Sequence, residues 1–215
     1  MIQIEHIQKQ FGEAVVLNDI NMELKPSNIY GLVGRNGSGK TMLMKCICGF
    51  VLPTSGTIRV NGKIVGKEVD IPDEIGIIIE NPGFLPNYSG FKNLQLLAMI
   101  QNKIGKEQIK EAIRMVGLDP DSKKHVGKYS LGMRQRLGLA QALMEDPNII
   151  LLDEPMNGLD NEGVGEIRKL ILDLKQKGKL IIIASHTKED IELLCDQVFY
   201  MDHGKVIRTE QKKSN

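Results

Sequence analysis

The chain has 215 residues, enough to bury one sizeable core, and its 41% hydrophobic and 26% charged content is that of an ordinary globular domain. Lys plus Arg number 28 against 27 Asp plus Glu, with no long basic block, so the charge gives no support to a nucleic-acid partner. The start MIQIEHIQKQ has no leader pattern and the longest apolar runs fall far short of the roughly 18 residues that span a bilayer, which predicts a cytoplasmic chain.

Ile2 and Ile4, and then Val16 to Leu24, alternate with polar residues and predict half-buried strands. The three cysteines are odd in number. Cys46 and Cys48 lie in an apolar stretch at a spacing that suits neither a disulfide framework nor a zinc pair, and read as small buried residues. Asn61-Gly62, between Thr57–Val60 and Lys63–Val65, predicts a type I′ hairpin, because Asn and Gly tolerate the positive φ that turn requires. These segments together predict a small antiparallel layer.

Four other runs are continuous in their hydrophobicity: IYGLVG (29–34), IGIII (75–79), NIILLDE (148–154) and KLIIIASH (179–186). Such runs, separated by helical stretches, are the pattern of strands buried on both faces of a parallel sheet, so the fold class is α/β. Gly90 to Met144 carries no strand pattern. It is rich in helix formers, with stops at Gly105 and at Gly117, after a periodic face of Ile109, Ile113 and Val116, and a start at Ser130. Residues 83–144 therefore read as a helical subdomain inserted into one α/β core of residues 1–82 and 145–215. The terminal EQKKSN reads as a loose tail.

Gly34-Arg35-Asn36-Gly37-Ser38-Gly39-Lys40-Thr41 follows a predicted strand, precedes a predicted helix and satisfies G-x-x-x-x-G-K-[ST]. Glycines at that spacing let backbone N–H groups converge on phosphate oxygens at a helix N-terminus. Lys40 then supplies a point charge to the outer phosphates and Thr41 a hydroxyl to Mg²⁺. Farther on, a buried run ends in Asp153-Glu154. Neighbouring residues of a strand point to opposite sides, so the two carboxylates can do different jobs: Asp153 holding the Mg²⁺ shell, Glu154 accepting a proton from the attacking water.

With these residues in their order, the chain resembles the nucleotide-binding subunit of an ATP-binding cassette (ABC) transporter over nearly its whole length. Tyr129-Ser130-Leu131-Gly132-Met133 is similar to the family's signature segment, although Leu131 and Met133 depart from its usual Leu-Ser-Gly-Gly-Gln. Gly158-Leu159-Asp160 resembles the D-loop, and His186 the switch histidine. Phe11 stands where the family has an aromatic stacked on adenine. The resemblance implies a P-loop NTPase (RecA-like) core and an ATP site made by two subunits. One supplies Phe11, Gly34, Asn36, Gly37, Ser38, Gly39, Lys40, Thr41 and Met42, with Asp153, Glu154 and His186; the other supplies Ser130 and Gly132, with Asp160 in the D-loop. It further implies a homodimer closed by ATP, working on separate membrane subunits that dock near Asn81 to Lys92, where Phe84, Leu85 and Phe91 are apolar anchors. The competing class is a soluble ABC ATPase acting in translation or DNA maintenance.

Glu80 ends the run IGIII where most cassettes have the glutamine that heads the Q-loop. The resemblance places its side chain near Mg²⁺ and the attacking water, so it joins Thr41 and Asp153 as a metal candidate and Glu154 and His186 as a catalytic one. A carboxylate binds a hard cation more strongly than an amide, and it adds negative charge beside the γ-phosphate. Such an E-loop resembles the cassettes of lantibiotic-immunity transporters, which implies export of an antimicrobial peptide.

Overall fold

A computed structural model describes residues 1–80 and 83–212. The expected domain boundary at residue 82 lies outside those residues, and the expected docking surface is described from Gly83 onward.

Two sheets form. Strands β1 (Ile2–Phe11) and β2 (Ala14–Leu24) pair antiparallel, β1 also pairs with β4 (Ser55–Val60), and β4 turns into β5 (Lys63–Ile64), giving the order β2-β1-β4-β5. The turn has Asn61 at φ 50° and Gly62 at φ 83°, the doubly left-handed backbone of a type I′ hairpin. The second sheet has the order β10-β9-β3-β8-β7-β6. The four continuous runs are three of its inner strands and one edge: β3 (Ile29–Val33), β6 (Ile75–Ile78), β7 (Ile149–Asp153) and β8 (Leu180–Ala184), parallel where they pair. β9 (Gln197–Asp202) joins β3 in parallel, and β10 (Lys205–Gln211) closes that side antiparallel. The expected loose tail is therefore partly strand: Glu210 and Gln211 pair with β9, and the Lys212 N–H donates to the Asp196 carbonyl.

The period of two along each strand divides the core into two halves. Ile149 and Leu151 of β7, with Leu180 and Ile182 of β8, face the antiparallel sheet and helix α1 (Lys40–Ile47). Ile150, Leu152, Ile181 and Ile183 face the opposite way, against α4 (Leu131–Leu143), α5 (Asn161–Gln176) and α6 (Lys188–Leu194). Burial on both faces is the physical reason these strands read as unbroken apolar runs.

The helical region contains α2 (Gly90–Gln101) and α3 (Lys106–Met115) besides α4. The first helix stops three residues before the expected Gly105, at Asn102, which adopts φ 52° as a left-handed C-cap; Gly105 instead begins α3. Gly117 ends α3 at φ 76°, and Ser130 caps α4 by accepting the Met133 N–H at 3.1 Å. Arg136 fastens the region to the core: its guanidinium donates to the Val116 carbonyl at the end of α3 and pairs with Glu166 of α5, both at 2.7 Å.

All three cysteines are buried. Burial disfavours the thiolate and so raises its pKa, to about 11 for Cys46 and about 12 for Cys195, with Cys48 raised in the same direction. At pH 8 the native chain is expected to resist a thiol reagent and to release three reactive thiols in guanidinium. Fast labelling of the native chain would contradict this.

Candidate active site

Strand β3 ends at Val33, and the next six residues wrap around the start of α1. Gly34 sits against β9 with no room for a side chain: a Cβ there would overlap the Met201 carbonyl and the Ser38 hydroxyl. Gly39 takes φ 104°, a conformation costly for any residue with a Cβ, and this turns the chain into the helix. Lys40 is only 8% exposed and folds back, its Nζ donating to the carbonyls of Gly34 at 2.7 Å and Arg35 at 3.2 Å. Ser38 Oγ is buried with no hydrogen-bond partner in the structure, and a buried hydroxyl left unpaired costs about 1–3 kcal/mol. An orphaned hydroxyl, a lysine and a helix N-terminus around one loop fit a phosphate group.

Asp153 continues the face of β7 that carries Ile149 and Leu151, the face α1 covers, and so it arrives at the helix. Thr41 Oγ1 donates to Asp153 Oδ2 at 2.7 Å. The hydroxyl and the carboxylate are hard oxygen donors placed side by side. They fit Mg²⁺, which is ordinarily held by one or two carboxylates together with substrate phosphates; no cluster of three or more His, Cys, Asp or Glu suited to a metal exists among the described residues.

Glu154 leaves the strand at φ 49°, its N–H bonded to the Ala184 carbonyl at 2.8 Å. Its carboxylate, 30% exposed, meets His186 Nδ1 at 2.9 Å. Two supports hold these residues that the sequence reading did not identify. Gln135 of α4, 7% exposed, donates its amide to the carbonyls of Glu154 and Pro155, each at 3.1 Å. Behind His186, the Ser185 hydroxyl accepts the Thr187 N–H at 3.1 Å and lies 3.5 Å from Asp190, which is 2% exposed and bound by the Arg168 guanidinium of α5. The position of Gln135, two residues past Met133, was the only signal available for it.

A cleft of about 610 Å³ opens among these groups. It is lined by Asn36 to Met42, Asp153 and Glu154, and also by Val16, Lys45, Glu80, Gln135 and Asn157. Glu80 has φ 64° and its carboxylate is held by Lys45 of α1 at 2.6 Å.

Phe11, Ser130, Gly132 and Asp160 are not in the cleft wall. Phe11, 52% exposed at the tip of the β1–β2 hairpin, carries Lys9 Nζ over its ring at 4.7 Å. Ser130 is exposed at the start of α4. Gly132 packs against the Gly158 carbonyl, and Leu131 covers Gly158, so the signature segment rests on the D-loop of its own chain. Asp160 caps α5 by accepting the Gly163 N–H at 2.9 Å. Of the three expected apolar anchors, Phe84 and Phe91 pack on the core and Leu85 remains exposed.

Residues 17–157, which include the loop, the cleft carboxylates and α4, match the family model described as ABC transporter. The chain belongs to the ABC transporter family. It is 42% identical over 211 residues to the ABC transporter ATP-binding protein YybJ of Bacillus subtilis (strain 168), covering 98% of this chain and 97% of YybJ. It is 41% identical to the bacitracin transport ATP-binding protein BcrA of Enterococcus faecalis, over 96% of this chain and 68% of that protein. To the lantibiotic transport ATP-binding protein SrtF of Streptococcus pyogenes it is 36% identical, over 96% and 89%. The dimeric structure of the bacterial ABC transporter cassette MJ0796 superposes with a TM-score of 0.89 at 23% identity over the whole of both chains, a likeness of fold. At 28% identity, cbiO1 from Clostridium perfringens superposes with a TM-score of 0.83, over 98% of the cassette and 88% of cbiO1. The cassette is an ATP-binding, ATP-hydrolysing subunit with a P-loop NTPase fold.

Proposed function

We propose that the cassette hydrolyses ATP at the cleft between Lys40 and Glu154 to drive export of a peptide antibiotic through separate membrane subunits. The observation that carries this reading is the position of Glu154. Its backbone turns out of β7 beside the Thr41–Asp153 pair, and its carboxylate is held by His186 at the edge of a cleft whose other wall is the phosphate-shaped loop.

In this reading Lys40 and the loop N–H groups bind the phosphates, while Thr41 and Asp153 hold Mg²⁺. Bound there, Mg²⁺ supplies neutralising charge to the phosphate oxygens. Glu154 accepts the proton of the attacking water, and His186 orients both the carboxylate and the terminal phosphate. Ser130, exposed at the start of α4, and the half-buried Gly132, both outside the wall of their own cleft, suit contact with nucleotide on a second copy, and Asp160 belongs to the D-loop on which Gly132 rests. Phe11 at an exposed hairpin tip is free to meet an adenine ring.

No helix among the described residues is long and apolar enough to cross a membrane. In this reading the membrane path belongs to other subunits and the cassette works at the inner face of the membrane. The exposed Leu85 and Tyr88 beside α2 suit their docking. The relatives named for bacitracin and lantibiotic transport support a peptide antibiotic as cargo. Purification from the native host is expected to bring down multi-span membrane proteins, and deletion of the gene to lower resistance to such a peptide. ATPase activity stimulated by ribosomes or DNA, with no membrane partner, would point to the soluble class instead.

A further inference from the structure

Each carboxylate in the cleft wall has a partner from another element. Asp153 accepts from Thr41, Glu154 from His186, and Glu80 from Lys45. The third pair differs from the others in being joined to a permanent cation. Among the residues lining the cleft only Lys40 and Lys45 carry lasting positive charge, and Lys40 Nζ is engaged by the loop carbonyls.

The geometry of α1 explains the pairing. Thr41 and Lys45 are four residues apart and therefore lie one above the other on one face of the helix. That face runs along the ends of the adjacent parallel strands β7 and β6, whose register matches Leu152 to Ile78. The first turn of the helix meets Asp153 and the next turn meets Glu80. Strand pairing ends at Ile78, and Glu80 adopts φ 64°, so the carboxylate crosses to the α1 side although Ile78 packs on the opposite face of the sheet. Lys45 is 27% exposed and Glu80 65%, which leaves the carboxylate open to the cleft while one oxygen is held.

An ion pair at a surface ordinarily contributes little to stability. Here its place matters more than its strength, because a bound nucleotide puts several negative charges beside Glu80. We propose that Lys45 is a positioning residue of the nucleotide site. It holds Glu80 at the cleft wall and cancels its charge, and it yields the carboxylate to the Mg²⁺ that accompanies the nucleotide. Lys45 and Mg²⁺ are thus alternative partners of Glu80. The inference rests on the assignment of the cleft as the ATP site.

The test is a double-mutant cycle on nucleotide affinity in the full chain, with binding of a fluorescent ATP analogue measured both in EDTA and in Mg²⁺. In EDTA, Lys45→Met is expected to weaken binding about tenfold, because an uncompensated carboxylate then faces the phosphates. The loss should vanish when Glu80→Gln is added and should be absent in Lys45→Arg, which keeps the charge. In Mg²⁺ the deficit of Lys45→Met should shrink to less than threefold, as the metal takes over the carboxylate. A deficit equally large with or without Glu80→Gln, or in Lys45→Arg, would mean that Lys45 acts on folding or on the nucleotide directly, and would overturn the proposal. A deficit unchanged by Mg²⁺ would overturn the exchange of partners. Failure of the unmodified chain to bind nucleotide at all would overturn the assignment of the cleft itself, a distinguishable result.

Discussion

Replacing Glu154 with glutamine is expected to cut ATP turnover by about 10²–10⁴, the usual contribution of a general base, while nucleotide affinity stays within a few-fold of the unmodified chain. The substitution keeps the size of the side chain and an oxygen that can meet His186 Nδ1, now at 2.9 Å from the carboxylate. It also keeps the backbone bond to Ala184 that sets where residue 154 points. What it removes is the capacity to take a proton from water. Phosphate release and nucleotide binding should therefore separate, with the first falling and the second holding. A variant that binds ATP without consuming it should also accumulate as an ATP-dependent dimer in light scattering if Ser130 and Gly132 complete a neighbour's site. Hydrolysis at the unmodified rate would remove Glu154 as the base.

The second large effect lies away from the cleft. Arg168→Met is expected to destabilise the fold by about 3–5 kcal/mol, because it strips the partner from a carboxylate taken out of water. Asp190 is 2% exposed, and the Arg168 guanidinium reaches it from Nε at 2.8 Å and Nη2 at 2.7 Å while a third nitrogen meets Glu189 at 3.1 Å. The hydrogen bond that the guanidinium donates to Glu189, then the one to Asp190, hold its pKa above the ordinary value, so no accessible pH releases the pair from the arginine side. Methionine retains most of the stem packing and isolates the charge effect. Urea unfolding should show the loss as a lower midpoint at unchanged slope, and Asp190→Asn added to Arg168→Met should recover part of it. A change below about 1 kcal/mol would place the pair among solvent-screened surface bridges. Since Asp190 touches Ser185, immediately before His186, the single variant should also lower turnover by loosening the histidine loop.

The α/β class and the P-loop were legible in the chain because both are written in local terms. A strand buried on two faces needs an unbroken apolar run, and a phosphate loop needs glycines where the backbone is left-handed or pressed against a neighbour. The same locality made the Asn61-Gly62 hairpin and the Ser130 cap readable. It failed at β9 and β10: the apolar run of β9, Val198 to Met201, is only four residues long although the strand is paired on both sides, and β10 (Lys205–Gln211) is a mostly exposed edge strand of mixed residues that pairs only through the fold. Gly105 misled for a related reason: a glycine marks a break in a helical pattern, but whether it ends one helix or begins the next depends on a neighbour, here Asn102 taking the left-handed cap.

The chemistry divides in the same way. That Asp153 and Glu154 diverge follows from strand geometry alone, and Glu80 stood out as a charge after three isoleucines. Which group answers each carboxylate was decided only by packing: Thr41 lies 112 residues from Asp153 and Lys45 35 residues from Glu80, and His186 reaches Glu154 from beyond the next strand of the sheet. A side chain's identity and its neighbours in sequence set the conformations it can adopt and the charge it brings. Its partner is set by which helix turn the sheet happens to place within 3 Å of it, and no period within the sequence encodes that distance.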